Sequence, residues 1–144
     1  MEQRISLITL GVADLQKSRA FYDALGWQAA GADEEETIVC YNLNGMALAL
    51  HPWRMLAGDA DVPAARSGPH GFAIAYNVRA KDDVAALLRT AEQCGGTIAK
   101  AAQDTFWGGH SGYFSDPDGY LWEVAYNPVS PLGPNGEFQW GGAA

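Results

Sequence analysis

Cysteine is scarce in this chain, and basic residues are outnumbered by acidic ones. The 144 residues include two cysteines, Cys40 and Cys94, and neither has a partner at the spacing of a Cys-x-x-Cys motif. A zinc ribbon and a dithiol redox pair are therefore excluded. The chain carries 9 Lys and Arg against 17 Asp and Glu, which gives a net charge of −8. This charge argues against a nucleic-acid partner, because phosphate binding requires clustered Lys and Arg.

Long apolar runs are also missing. The N-terminal stretch MEQRISLITLGVADL lacks the basic start and the long apolar core of a secretory signal. No run approaches the roughly 18 apolar residues of a membrane helix. We therefore expect a cytoplasmic protein with reduced thiols and no membrane partner. The composition, 48% hydrophobic and 18% charged, predicts that residues 1–144 form one folded domain.

Residues 4–53 have the pattern of a strand, a helix and three further strands. RISLITLGV is rich in branched apolar residues, as strands are. Asp14 occupies the N-cap position of the helix that follows, and Gly26 ends that helix. Three shorter strands come next, and Asn44-Gly45 predicts a hairpin turn between the last two.

The same pattern returns in residues 71–128, after a Gly- and Pro-containing linker over residues 54–70. Asp118-Gly119 opens the last strand of this second half, as Asn44-Gly45 does in the first. The repeat predicts an α+β fold made of two βαβββ modules. A tail, residues 129–144, contains Phe138 and Trp140, and we expect these aromatics to pack on the domain or on a partner subunit.

Two blocks of the sequence carry a family resemblance. LGVADLQKSRAFYDALGW and SGYFSDPDGYLWEVAYNP resemble the opening and closing blocks of the vicinal oxygen chelate superfamily, which includes glyoxalase I, bleomycin-resistance proteins and extradiol dioxygenases. The resemblance spans about residues 4–128. It implies that the two modules form an open barrel around a cleft, that a divalent metal ion is held there by inward-facing His, Glu or Gln, and that the protein is a homodimer.

The resemblance implies four metal-ligand positions, one on the first and one on the last strand of each module. Carried over to this chain, the last-strand positions are Ala49 and Glu123. The first-strand positions are Leu7 and either Ala73 or Phe72. Only Glu123 offers a donor atom, and one carboxylate does not hold a divalent ion firmly. We therefore expect no metal and no other cofactor at this place.

Histidines leave an alternative open. A displaced divalent-metal site built from His51, His110 and Glu123 remains possible, because imidazole and carboxylate are common metal ligands. Without a metal, the same three residues are the candidates for acid–base catalysis. For Glu123 the competing interpretation is a structural carboxylate, and for His51 it is a surface imidazole at a strand end.

Aromatic residues are the candidates for lining a ligand pocket. The segment DTFWGGHSGYF places Trp107 and His110 on a glycine-rich loop, where binding residues are frequent. The predicted ligand-binding residues are Trp107, His110, Tyr41, Trp53, Phe72 and Trp122.

Three functions remain compatible with the sequence. The first is a metal-independent member of the superfamily that binds a small organic molecule in the barrel cleft. The second is a glyoxalase-like lyase or isomerase in which Glu123 moves a proton, with or without a divalent metal ion. The third is an interaction domain whose cleft is filled by its own side chains.

Overall fold

The structure is a computed structural model that describes residues 6–32, 37–59 and 73–138, with the isolated residues 3, 61 and 64. The chain divides into two compact units, Met1–Gly68 and Pro69–Ala144. Unit 1 contains β1 (Leu7–Val12), α1 (Leu15–Ala24), β2 (Gly31–Ala32), β3 (Val39–Asn42), β4 (Ala47–Pro52) and α2 (Trp53–Asp59). Unit 2 contains β5 (Ile74–Val78), α3 (Lys81–Gln93), β6 (Thr97–Asp104), β7 (His110–Ser115) and β8 (Leu121–Tyr126).

Each unit has one four-stranded sheet, and the two sheets share a topology. The strand order is β1-β4-β3-β2 in unit 1 and β5-β8-β7-β6 in unit 2. In both, the first strand pairs in parallel with the last, while the described pairs among the other strands are antiparallel. The predicted pair of βαβββ modules and the α+β class are confirmed.

Local signals in the sequence account for the element boundaries. The Asp14 side chain caps α1 by accepting a hydrogen bond from the Lys17 backbone amide at 3.0 Å. The turns before β4 and β8 contain Gly45 at φ 82° and Gly119 at φ 89°, a backbone region that glycine enters without a steric penalty. Asp116 holds the second turn, because its Oδ1 accepts hydrogen bonds from two backbone amides at 2.9 Å each.

The two faces of each sheet differ in what covers them. We call the face that packs on α1 or α3 the helix face and the opposite one the far face. On the helix face of unit 1, the Tyr41 ring lies 5.8 Å from Tyr22 of α1. In unit 2, a Cβ on Gly112 would stand 2.5 Å from Leu88 of α3, so Gly112 marks the helix face of that sheet. Side chains alternate along a strand, so the neighbouring positions belong to the far face.

Two segments differ from the simple pattern that the sequence predicts. The predicted linker begins with the short helix α2, which packs over Gly11, where an added Cβ would stand 3.0 Å from the Cβ of Trp53. The described part of the tail is attached to unit 2, since Arg79 Nη2 donates to the carbonyl of Gly133 at 2.8 Å. Among the described residues, no helix is long and apolar enough to cross a membrane.

Candidate functional site

Glu123 lies on the far face of the unit 2 sheet, near the middle of β8. Its side chain is half-buried, between the buried positions 122 and 124 that face α3. It pairs with Ala75 on one side and with Tyr113 on the other. It stands four residues after the turn glycine of unit 2, as Ala49 does in unit 1. The repeat therefore places a carboxylate in one unit where the other has a methyl group.

Tyr113 is the immediate partner of Glu123. The two residues lie directly opposite each other across β7 and β8, which brings the phenol beside the Glu123 carboxylate. Burial of the phenol, followed by the negative charge of Glu123, raises the pKa of Tyr113. At neutral pH the phenol therefore keeps its proton.

Lys100 completes a row across three strands. It pairs with Tyr113, and its Nζ lies 6.0 Å from the centre of the Tyr113 ring. The contact places the ammonium group on the far face with Tyr113 and Glu123. The far face of unit 2 thus presents a carboxylate, a phenol and an ammonium group on neighbouring strands.

His51 lies on the far face of unit 1, in register with Gly11 and only 8% exposed. Its Nδ1 donates to the carbonyl of Thr37 at 2.7 Å, and its Nε2 lies 3.1 Å from the carboxylate of Asp59 at the end of α2. Both ring nitrogens are thus engaged in contacts that connect β4 to its surroundings. The low exposure of His51 does not fit the surface imidazole that the sequence analysis considered.

His110 occupies the first position of β7, and the structure does not bring it together with Glu123. Positions 110 and 112 share the helix face, whereas Tyr113 and Glu123 share the far face. The Nδ1 of His110 donates to Asp104 Oδ1 at 2.7 Å, and Lys81 Nζ lies 2.6 Å from the same oxygen. Hydrogen bonds from Lys81 and, to a smaller extent, from His110 lower the pKa of Asp104. The cluster joins the start of α3 to the β6–β7 hairpin.

Tyr41 and Trp122 were predicted to line a ligand pocket, but the structure places both in the core. Tyr41 is 1% exposed, and its hydroxyl donates to Asp23 Oδ1 of α1 at 3.1 Å. Trp122 is 4% exposed and stacks on Phe114 at 6.0 Å. Both side chains belong to the helix face, because each occupies a position that alternates with the far-face residues beside it.

The other predicted aromatics are distributed differently. Trp107 is 38% exposed at the tip of the β6–β7 hairpin, beside the fully exposed Phe106. An added Cβ on Gly109 would stand 1.9 Å from the Trp107 ring, so the ring lies directly against that glycine. Trp53 begins α2 and is half-buried, with the Arg54 guanidinium 5.2 Å from its ring. Phe72 lies outside the described residues.

Comparison with known proteins defines the family. The family model described as "Glyoxalase/Bleomycin resistance protein/Dioxygenase superfamily" matches residues 4–124. This chain belongs to that superfamily. A glyoxalase-related enzyme from Fulvimarina pelagi is 37% identical, with 96% of this chain and 98% of that one covered and a TM-score of 0.89.

More distant structures share the fold of this superfamily member. A family enzyme from Burkholderia phytofirmans PsJN is 18% identical over 84% of this chain and 96% of its own, with a TM-score of 0.75. A lactoylglutathione lyase from Agrobacterium tumefaciens is 20% identical over 88% of this chain and 96% of its own, with a TM-score of 0.69. The comparison with curated proteins found no match.

The metal-ligand positions implied by the superfamily do not fit a divalent ion in the described part of this member. Leu7 and Ala49 line the far face of unit 1, and Ala73 precedes β5. None of these three side chains has a donor atom, so Glu123 is the one donor among these four positions. Among the described residues, no three His, Cys, Asp or Glu side chains lie close enough to hold a metal ion.

The residues that the sequence analysis left out of the site are Tyr113 and Lys100. Tyr113 could have been found from the Asp116–Tyr120 turn, because a hairpin register follows from its turn and places position 113 opposite 123. Lys100 could not have been found in this way. The pairing of β6 with β7 shifts its register on both sides of Lys100, once between Ile98 and Lys100 and once between Lys100 and Gln103.

Proposed function

We propose that this superfamily member binds a small organic molecule on the far face of its unit 2 sheet, around Glu123, without a metal ion at the position typical of the family. The single observation that carries the proposal is the pairing of Tyr113 with Glu123 on this face, while Leu7, Ala49 and Ala73 at the other implied ligand positions have no donor atom. A ligand that comes to this face meets a carboxylate beside a phenol rather than a metal centre.

Under this proposal, several residues that the sequence analysis named as functional candidates have a structural role instead. His51 connects α2 to β4, while His110 positions Asp104, whose ion pair with Lys81 connects the β6–β7 hairpin to α3. Tyr41 and Trp122 stabilise the helix faces of their sheets. Glu123 remains the recognition residue.

Calorimetry with metal ions tests the metal-independent part. Protein treated with a chelator is titrated with Ni²⁺, Zn²⁺ and Mn²⁺, and the same titrations are made with Glu123→Ala and with Glu92→Gln, an exposed helix residue used as a charge control. We expect no stoichiometric binding that depends on Glu123. Tight binding at one ion per chain, lost in Glu123→Ala and kept in Glu92→Gln, contradicts the proposal.

A fragment screen tests the binding part. Backbone amide spectra of the full chain are recorded with a library of small aromatic and amphipathic compounds. We expect the compounds that bind to shift the amides of β7 and β8, and to lose affinity in Glu123→Gln. If every compound that binds shifts only residues of the helix faces, the site has been placed on the wrong surface.

A second candidate is a lyase or isomerase in which Glu123 moves a proton. The half-buried carboxylate on a sheet face favours it, because a positioned carboxylate can act as a general base toward a substrate. Turnover of the methylglyoxal–glutathione hemithioacetal, measured with and without added metal ions, tests it. Turnover that disappears in Glu123→Gln supports this candidate, and absence of turnover under both conditions removes it.

The proposal includes a homodimer, with the aromatic tail as part of the interface. Phe138 is 46% exposed at the end of the described tail, and a large exposed apolar side chain is suited to a contact between subunits. Sedimentation of the full chain should give a dimer that Phe138→Ser weakens. A concentration-independent monomer contradicts this part of the proposal.

A further inference from the structure

The row formed by Glu123, Tyr113 and Lys100 carries opposite charges at its two ends. The three residues are in register on β8, β7 and β6. Neighbouring strands are about 4.8 Å apart, so the backbones of Glu123 and Lys100 are separated by roughly 10 Å. Tyr113 lies between them and fills the space in which a direct ion pair would form.

The position of Lys100 results from irregularities in β6. One extra residue stands between Ile98 and Lys100 and another between Lys100 and Gln103, relative to the partner strand. Such bulges redirect a side chain, and without them Lys100 would not be paired with Tyr113 in the present register. Within the described residues, no ion pair involves the Lys100 ammonium group.

The charges of the row constrain what can cover it. A molecule that covers the half-buried Glu123 and displaces its water favours a hydrogen-bond donor, and preferably a positive charge, because covering a charge without a partner is costly. At the exposed Lys100 an anionic group is favoured by charge attraction. A purely anionic molecule is also disfavoured by the net charge of −8, whereas a molecule with both charges has no net charge.

We propose that the ligand of this face is a small zwitterion whose ammonium group pairs with Glu123, whose carboxylate pairs with Lys100, and whose apolar body lies over the Tyr113 ring. The inference rests on the proposed function, since it names the ligand class of the same site. The exposed Ala75 lies beside Glu123 on the far face, and its short side chain leaves room for an apolar body.

Four matched compounds test the charge pattern. 4-(Aminomethyl)benzoate carries both charges at opposite ends of a ring, benzylamine and benzoate carry one each, and benzyl alcohol carries neither. Their dissociation constants are measured by amide chemical-shift titration of the wild-type chain, Glu123→Gln and Lys100→Met. Glu92→Gln and Lys17→Met, both exposed charges on helices, are the controls for net charge.

We expect the zwitterion to bind at least fivefold more tightly than either singly charged compound. Glu123→Gln should weaken binding of the two compounds with an ammonium group at least fivefold and leave that of benzoate unchanged. Lys100→Met should weaken binding of the two compounds with a carboxylate at least fivefold and leave that of benzylamine unchanged. The two control variants should not change the ranking. The amide spectrum of each variant shows that its fold is retained.

Two outcomes overturn the inference and can be told apart. If the compounds bind to β7 and β8 with equal affinities that neither variant changes, the charge pattern is irrelevant while the proposed function stands. If none of the four shifts the amides of these strands, the zwitterion inference fails, and failure of the wider fragment screen as well removes the proposed function.

Discussion

Replacing Tyr41 with phenylalanine tests whether this residue stabilises the core or binds a ligand. The hydroxyl of Tyr41 donates to Asp23 Oδ1 at 3.1 Å, and the ring packs against Tyr22 and Trp27 at 5.8 and 5.5 Å. Phenylalanine keeps the ring contacts and removes only the hydroxyl. A hydrogen bond to a charged group contributes about 1.5–3 kcal/mol, and we lower this to about 1–2 kcal/mol because water can reach the partly exposed Asp23.

The expected loss is large enough to measure by urea unfolding followed by tryptophan fluorescence. For a chain of this size it corresponds to a decrease in Tm of about 3–8 °C. Tyr76→Phe is the control, since Tyr76 is 48% exposed and its hydroxyl should contribute little. Binding of any far-face ligand should be unchanged in Tyr41→Phe.

The same variant has a pH signature. Burial, followed by the hydrogen bond and the charge of Asp23, raises the pKa of Tyr41. A raised pKa in the folded state means that the stabilisation is complete below the unfolded pKa of about 10 and is lost as the pH rises above it. The difference in unfolding free energy between wild type and Tyr41→Phe should therefore shrink above pH 10. Equal stability of the two proteins at pH 7 would refute the assignment of Tyr41 to the core network.

Three further substitutions test the unit 2 geometry and its connections. Gly112→Ala should lower the free energy of unfolding in urea by about 1–3 kcal/mol, because the added Cβ would stand 2.8 Å from a backbone carbonyl oxygen. Gly58→Ala is the control and should be neutral or slightly stabilising, because an added Cβ there has no neighbour within 4 Å. Asp116→Ala should cost about 2–4 kcal/mol by removing two backbone hydrogen bonds at a site that is 4% exposed, and an unchanged urea midpoint would contradict this role for the turn. Asp104→Asn should lower the urea midpoint at pH 7, and the decrease should shrink as the pH falls below the unfolded pKa of about 3.9, because a carboxyl with a lowered pKa loses its stabilising effect as the pH falls through the folded value. A decrease that stays constant as the pH falls would exclude an ionic origin.

Local signals explain why the fold could be predicted. Asp14 at the helix start and the glycine turns before β4 and β8 each fix a short piece of backbone through contacts with near neighbours in sequence. Repetition of these signals at matching positions then indicates the βαβββ modules. The same signals locate Glu123 on the last strand, four residues after its turn glycine.

The surroundings of Glu123 were harder to predict, because they depend on which face each residue joins. Tyr41 and Trp122 look like pocket aromatics in the sequence, yet strand alternation turns them toward the helices. His110 is turned away from Glu123 for the same reason. Lys100 reaches its place through two bulges in β6, which no periodic pattern reveals.

The division of each sheet into a helix face and a far face has an evolutionary consequence. Far-face positions that are exposed, such as Ala75, contribute little to the buried core, so mutations there can accumulate with small effects on stability. At one matching far-face position the two units differ, since unit 1 has the buried Ala49 and unit 2 the half-buried Glu123. A scaffold of this kind can acquire a new specificity by a few exchanges at exposed positions like Ala75 without first having to rebuild its interior.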